Sequence, residues 1–309
     1  MAGDVLIGGS VSAASDGGSY NMKIVILGSG GRLGAALMGA YRKKFEVVGF
    51  NHAELDLSKP DEIRQKIDNL EFDLVINAAA FTNVDLCETE KDQAFAVNAD
   101  APRLLAEICR GKSVKLIHIS TDYVFDGEKR HPYGEDDAAK PISIYGESKR
   151  AGEKFVIQAS NRHLVIRVSW VFGPDRPSFV DAMIKRAREE EKIGAIDDKW
   201  SVPTYTSDIA EMLPRVFGVD AGILHLANAG QCTWREYAQH ALECCHAAGV
   251  SLKAKTVEAS KLADMKNWVA RRPIYSVLST AKYQALTGIE PRPWRDAVAD
   301  YIERSYSKK

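Results

Sequence analysis

From Met22 onward, short apolar runs alternate with stretches whose apolar residues recur every three or four positions. The runs Lys23–Leu27, Phe45–Phe50, Asp73–Asn77, Val114–Ile119 and His163–Val168 predict strands. Between them, helical periodicity spans Leu33 to about Lys43, Lys91–Cys109 and Tyr145–Ala159. A further helix is predicted to about Leu70, with Ser58 as its cap and Pro60 and Asp61 in its first turn. Strands that are apolar almost throughout, separated by helices, predict an α/β fold with a doubly wound parallel sheet covered on both faces.

The regularity weakens after Phe172. Gly222–Ala227 reads as one more buried strand, returning to the sheet. Thr233-Trp234-Arg235-Glu236 reads as a capping box opening a helix toward Cys245. Pro203, Pro273, Pro291 and Pro293 punctuate the rest. The expected division is a nucleotide-binding domain over 22–172 and a smaller, mainly substrate-binding domain over 173–309. Residues 1–21, rich in Gly, Ser and Ala, are expected to be a disordered leader or an expression remnant outside the fold.

Composition narrows the classes. Of 309 residues, 45% are hydrophobic and 27% charged, as in ordinary globular chains. A formal net charge of −1 carries no basic field for nucleic acid or an anionic membrane. The densest charged run, Lys185 to Lys192, mixes signs and reads as a solvated helix face. Five cysteines, an odd number with no CxxC pair, fit a reducing cytoplasm. No apolar run reaches the ~18 residues of a membrane span.

Candidate chemistry begins at Gly28-Ser29-Gly30-Gly31-Arg32-Leu33-Gly34, between the first strand and the first helix. Gly28, Gly31 and Gly34 follow a GxxGxxG spacing, which lets backbone and helix N-terminus approach a pyrophosphate. This is the turn of a Rossmann-type nicotinamide dinucleotide site. NAD-selective sites place a carboxylate at the end of the second strand, but Phe50-Asn51-His52 has none. Arg32 is positioned in the turn to attract a 2′-phosphate, although it reads equally as a solvent-facing helix residue. NADPH is expected, with NADH also permitted.

Tyr145 and Lys149 fall one turn apart on a helix. An ammonium beside a phenol favours the phenolate and lowers the pKa of a proton donor that is otherwise sluggish near neutrality. Thr121, at the C-terminal end of a strand, is suited to hydrogen-bond a carbonyl oxygen, with Ser120 as its close competitor. A donor, a cation and a hydroxyl beside a dinucleotide turn are the parts of a nicotinamide-dependent carbonyl reductase.

The order of GxxGxxG, Asn77-Ala78-Ala79-Ala80, Asn98, Ser120-Thr121-Asp122-Tyr123-Val124-Phe125-Asp126-Gly127, Tyr145-x-x-x-Lys149 and Val168-Ser169-Trp170-Val171-Phe172 resembles the extended short-chain dehydrogenase/reductases. Within them, Pro203-Thr204-Tyr205, His225-Leu226, Thr233-Trp234 and Arg271-Arg272-Pro273-x-Tyr275-Ser276-x-Leu278 resemble the dTDP-4-dehydrorhamnose reductase family. The resemblance implies reduction of the C4 carbonyl of dTDP-4-dehydro-6-deoxy-L-mannose, with Tyr145 as acid, Lys149 orienting it and the ribose, and Thr121 on the keto oxygen. It also implies a cofactor site of Gly28, Ser29, Gly31, Arg32, Leu33, Gly34, Asp56, Leu57, Ala78, Ala79, Ala80 and Asn98. Thr82, Val84, Asp122, Tyr123 and Trp170 are implied to face the nucleotide-sugar, although Trp170 also reads as a packed core residue. Arg271 or Arg272 would suit the diphosphate, and both also read as exposed ion-pair residues.

A homodimer is implied as well. Some relatives hold Mg²⁺ at a dimer interface through glutamates, one of them two residues after the third motif glycine; Ala36 stands there, so no metal is expected. Ser279 also departs from the Asp or Asn of many relatives. Two rivals remain: a nucleotide-sugar epimerase or dehydratase, and a non-catalytic regulatory subunit on this fold. The dehydratase needs a second carboxylate where Tyr123 stands. The regulatory subunit has no need of the catalytic trio.

Overall fold

The computed structural model describes residues 22–307, so the leader expected over residues 1–21 lies outside the described residues. Five parallel strands follow the sequence runs closely: β1 (Lys23–Leu27), β2 (Glu46–Phe50), β3 (Leu74–Asn77), β4 (Lys115–Thr121) and β5 (Leu164–Val168). The strand Gly222–His225 pairs with β5, giving a six-stranded sheet in which β5, β4, β3, β1 and β2 follow it in that order. Every pairing is parallel.

Flanking helices are α1 (Arg32–Tyr41), α2 (Pro60–Ile67), α3 (Val84–Thr89), α4 (Lys91–Phe95), α5 (Ala101–Gly111) and α6 (Ile144–Ala159). Side chains alternate across the sheet. Ile24 and Ile26 of β1 pack with Leu37 and Met38 of α1. Val25 and Leu27 face the other way, onto Ile63 and Ile67 of α2 and Leu105 of α5. Burial on both faces is why the strand reads as an unbroken apolar run.

The sequence reading needs three local corrections. Ser58 does not cap α2: its hydroxyl donates to Asp56 Oδ1 at 2.8 Å, and the helix starts at Pro60 behind Lys59. The periodicity of Lys91–Cys109 is helical throughout, but a π-turn at Ala96–Asp100 divides it into α4 and α5. A π-turn widens the helix by one residue per hydrogen-bonded ring, which hydrophobic spacing cannot show. The short α3, capped by Asn83 through a bond from the Leu86 amide, carries too little periodicity to read.

Beyond β5 lie α7 (Phe179–Glu189), α8 (Thr206–Met212) and α9 (Trp234–Ala247). The capping box is present: the Glu236 amide donates to Thr233 Oγ1 (3.1 Å) and the Thr233 amide to Glu236 Oε2 (2.8 Å). The mixed charge run begins on α7, where Arg186 and Glu190 pair at the surface. An aromatic-rich core joins Phe125, Phe172, Tyr205, Tyr237, Trp294 and Tyr301. Phe172 and Tyr205 stack with centroids 5.2 Å apart. Among the described residues, no helix is long and apolar enough to cross a membrane.

The chain runs from β1 outward to β2, then crosses back to β3 on the other side of β1. The loops leaving β1 and β3 therefore diverge. The crevice between them is where open parallel sheets take their ligands.

Candidate active site

The glycine turn sits at that crevice. Gly28 has φ +78°, and its amide and that of Ser29 both donate to the Phe50 carbonyl (2.8 and 3.0 Å). A Cβ on Gly28 would lie 2.7 Å from the Ala79 nitrogen, and one on Gly34 only 2.1 Å from the Gly28 oxygen. Both positions require glycine because backbone packs on backbone there. Gly31 caps α1 with extended geometry, presenting the helix N-terminus to the cleft.

A cavity of about 1710 Å³ runs from this turn across the C-terminal ends of the strands. That exceeds the roughly 300–1,000 Å³ of a single small-ligand pocket and fits a dinucleotide together with a second ligand. Gly28, Gly31, Arg32 and Leu33 line one end with Asp56, Leu57, Ala78, Ala79 and Ala80. Thr82, Val84, Thr121, Asp122, Tyr123, Tyr145, Lys149 and Trp170 line the other reaches.

Five of the residues singled out from sequence do not line it. Ser29 and Gly34 build the turn from behind. Asn98, in the π-turn, accepts from the Phe81 amide (2.8 Å) and donates to the Phe81 carbonyl (3.0 Å) and Ser148 Oγ (3.1 Å). It clamps the loop after β3 to α6. Arg271 is exposed at the surface. Arg272 is engaged by Asp85 at 2.7 and 3.1 Å and lies 3.8 Å from the Trp268 ring centroid.

Arg32 lines the cleft, but its guanidinium is committed elsewhere. It donates to the carbonyls of Val171 (3.2 Å), Arg176 (3.3 Å) and Pro177 (2.6 Å). Arg176 answers by donating to the Gly30 carbonyl at 2.6 Å. A Cβ placed on Gly30 would sit 3.2 Å from Asn51 Cβ and 3.9 Å from Arg176 Nη2. Arg176 thus lines the cleft beside the glycine turn, near the end of β2. It was not visible in the sequence, because it arrives from a loop beyond β5 and no motif marks it.

Tyr145, Lys149 and Thr121 meet at the end of β4. The Tyr145 ring is edge-on to Tyr123, with centroids 5.6 Å apart. Burial drives its phenol well above the ordinary pKa, and hydrogen bonding with Thr121 only partly opposes this. The expectation that Lys149 lowers it is therefore not what the protein alone achieves. Lys149 Nζ is turned to the Ile119 carbonyl (2.7 Å) and to His118 Nε2 (3.2 Å). Burial brings Lys149 down to about 8, with Glu153 resisting. Ser120, the competitor of Thr121, donates instead to Glu153 Oε1 at 2.7 Å, within a buried pair that Arg167 completes in two-pronged fashion at 2.8 Å.

Asp122 is wrapped by donors from three parts of the chain: Thr121 Oγ1 (3.0 Å), Ser169 Oγ (2.9 Å) and Ser276 Oγ (2.6 Å). Burial still raises its pKa, against the pull of Lys199. Lys199 is itself buried, bonds the Pro273 carbonyl at 2.6 Å and lies 5.3 Å from the Tyr123 ring centroid. Trp170 has φ +43°, a costly conformation for a bulky residue. It stacks on Trp234 (5.0 Å) and packs at a tilt against Phe179 (5.1 Å) while also lining the cavity.

Comparison with known proteins agrees with this geometry. The model of the RmlD substrate binding domain family matches residues 22–307. The dTDP-4-dehydrorhamnose reductase of Mycolicibacterium smegmatis is 38% identical over 286 residues, 91% of this chain and 85% of that one. A probable dTDP-4,6-dihydroxy-2-methyloxan-3-one 4-ketoreductase of Streptomyces antibioticus is 37% identical, covering 90% and 94%. The crystal structure of dTDP-4-dehydrorhamnose reductase from Bacillus anthracis in complex with NADP superposes with a TM-score of 0.85 at 29% identity, over 92% of this chain and 99% of that one. A dinucleotide-sized cleft, a Tyr–Lys–Thr constellation at its centre and a family match across the whole described chain converge: the protein belongs to the RmlD substrate binding domain family, that of the dTDP-4-dehydrorhamnose reductases.

Proposed function

We propose that the protein reduces the C4 carbonyl of dTDP-4-dehydro-6-deoxy-L-mannose with NADPH, or with NADH, to give dTDP-L-rhamnose. The observation that carries this is the single cavity joining the glycine turn to Tyr145, Lys149 and Thr121. The turn fits the cofactor's pyrophosphate, since Gly28, Gly30 and Gly31 line the cleft without side chains and the α1 N-terminus faces it. NADPH, when bound, supplies the hydride.

The chain's residues supply the rest. Tyr145 donates its phenolic proton to the carbonyl oxygen as the hydride reaches C4. Its raised pKa keeps that proton on the phenol at neutral pH. Lys149 binds the nicotinamide ribose and provides positive charge when protonated. Thr121 orients the keto oxygen. A hydroxyl has one proton, so this role takes that proton away from Asp122. Asp122, Tyr123 and Trp170, with Thr82 and Val84, form the wall for the sugar-nucleotide.

This arrangement argues against the dehydratase. The carboxylate after Thr121 is held by the Ser169 and Ser276 hydroxyls, and Tyr123 stands where that chemistry needs a second acid. A cytoplasmic location is part of the proposal, supported by five free cysteines, four of them buried. The homodimer rests on the family resemblance, and sedimentation analysis tests it. The test of the reaction is a spectrophotometric assay across several 4-keto nucleotide-sugars. Oxidation of NADPH that depends on the dTDP-4-dehydro sugar supports the assignment, and tightly bound oxidised NAD with no net turnover would replace it with an epimerase.

A further inference from the structure

His118 on β4 is fully buried and sits directly behind Lys149. Its Nε2 lies 3.2 Å from Lys149 Nζ, and its Nδ1 lies 3.2 Å from Asn77 Nδ2. The orientation of the Asn77 amide is fixed, because its Oδ1 accepts from the Ala79 backbone N–H at 3.2 Å. Turning the amide over would set two donors face to face. Both ring nitrogens of His118 therefore look at nitrogen groups that carry protons, yet a neutral imidazole has only one acceptor. The ring cannot resolve this by charging, which would add a proton to an already donor-rich pocket beside an ammonium. The three side chains hold one proton too many whenever Lys149 is an ammonium. They are fully satisfied when His118 Nδ1 accepts from Asn77, His118 Nε2–H donates to a neutral Lys149 amine, and Lys149 donates to the Ile119 carbonyl.

We propose that His118 is a positioning residue that holds Lys149 in place and, by donating to its amine form, adds to burial in letting Lys149 change charge within the working pH range instead of standing as a permanent cation. The inference deepens the reductase reading, since the charge it tunes is the one that assists Tyr145. Other groups around Lys149 do not take over this role. Glu153 on its own helix is held by Arg167, Arg150 and Ser120. Asp122 and Cys87 act on Tyr145, where both favour the protonated phenol.

The test has two arms. With substrate, kcat is followed against pH in the wild type and in His118→Gln, whose amide reaches the Nε2 position and whose oxygen is free to accept from the ammonium. The activity loss on the alkaline side should move upward by about one pH unit, a tenfold change in the ionisation constant. A uniform drop in kcat at every pH with the alkaline limb unmoved would reduce His118 to packing and overturn the proposal. The second arm needs neither turnover nor a variant: ¹⁵N NMR of the imidazole in the wild-type protein. The Nε2–H tautomer is expected above the pH at which Lys149 deprotonates, and an Nδ1–H ring there overturns the proposal. If the sugar proves not to be a substrate, the spectrum still decides on His118, so the two failures are told apart.

Discussion

Asp85 and Arg272, 187 residues apart, form a two-pronged ion pair at 2.7 and 3.1 Å that fastens the late loop to the start of α3. Asp85 Oδ1 also accepts the amides of Val269 (2.9 Å) and Ala270 (2.8 Å). Arg272 is thus a tie rather than a free diphosphate ligand. Asp85→Asn and Arg272→Ala should each raise the KM for the sugar-nucleotide to a similar degree. A double-mutant cycle should show coupling of about 1 kcal/mol. If Arg272→Ala raises KM and Asp85→Asn leaves it untouched, the arginine meets substrate after all.

Removing the acid should abolish chemistry without disturbing binding. Tyr145→Phe is expected to lower kcat by roughly 10²–10⁴-fold, with KM for NADPH little changed. Thr121→Val should cost about 10²-fold or more, and Thr121→Ser should recover most of it. Steady-state kinetics alongside thermal melts separate these from folding defects.

Cofactor choice should follow Arg176 and not Arg32. The Arg32 guanidinium is spent on three carbonyls, whereas Arg176 lines the cleft beside Gly30 with only its Nε engaged there. Arg176→Ala should weaken NADPH about tenfold, as expected for loss of a charged contact of ~1.5 kcal/mol, and leave NADH nearly unchanged. Arg32→Ala should instead lower stability and loosen the 171–177 segment. Equal losses for both cofactors in Arg176→Ala would refute the assignment.

Gly34→Ala places a methyl 2.1 Å from the Gly28 oxygen, inside backbone that cannot move away cheaply. Destabilisation of about 1–3 kcal/mol and loss of NADPH binding are expected, measured by denaturant melts and fluorescence titration. The exposed-loop change Gly218→Ala, where an added Cβ meets nothing within 4 Å, is the control.

Lys199 gives a pH signature. Burial lowers its pKa in the folded protein to about 8, from an ordinary 10.5. Below pH 8 both folded and unfolded chains carry the proton, and the full cost of burying the ammonium is present. From pH 8 to 10.5 only the unfolded chain holds it, so this cost fades as pH rises. The advantage of Lys199→Met over wild type in urea unfolding should therefore shrink across that window. A difference independent of pH would mean that the ammonium is solvated in the native state.

Much of the architecture was legible because its causes are local. The apolar runs that became β1 to β5, the spacing of Gly28, Gly31 and Gly34, and the capping box at Thr233 each depend on neighbours in the chain. Tyr145 and Lys149 could be paired for the same reason, since one helical turn sets their separation. Tertiary structure decided what depends on distant partners. It turned Lys149 toward His118 and Ile119, gave the Arg32 guanidinium to the 171–177 segment, brought Arg176 to the cofactor edge, and spent Arg272 on Asp85. It also tied Asn98 to the Phe81 backbone and Ser148, through a π-turn that periodicity cannot register. Backbone preference and spacing act over a few residues, whereas burial, ionisation and the choice of hydrogen-bond partner are settled only when segments far apart in the chain enclose the same space.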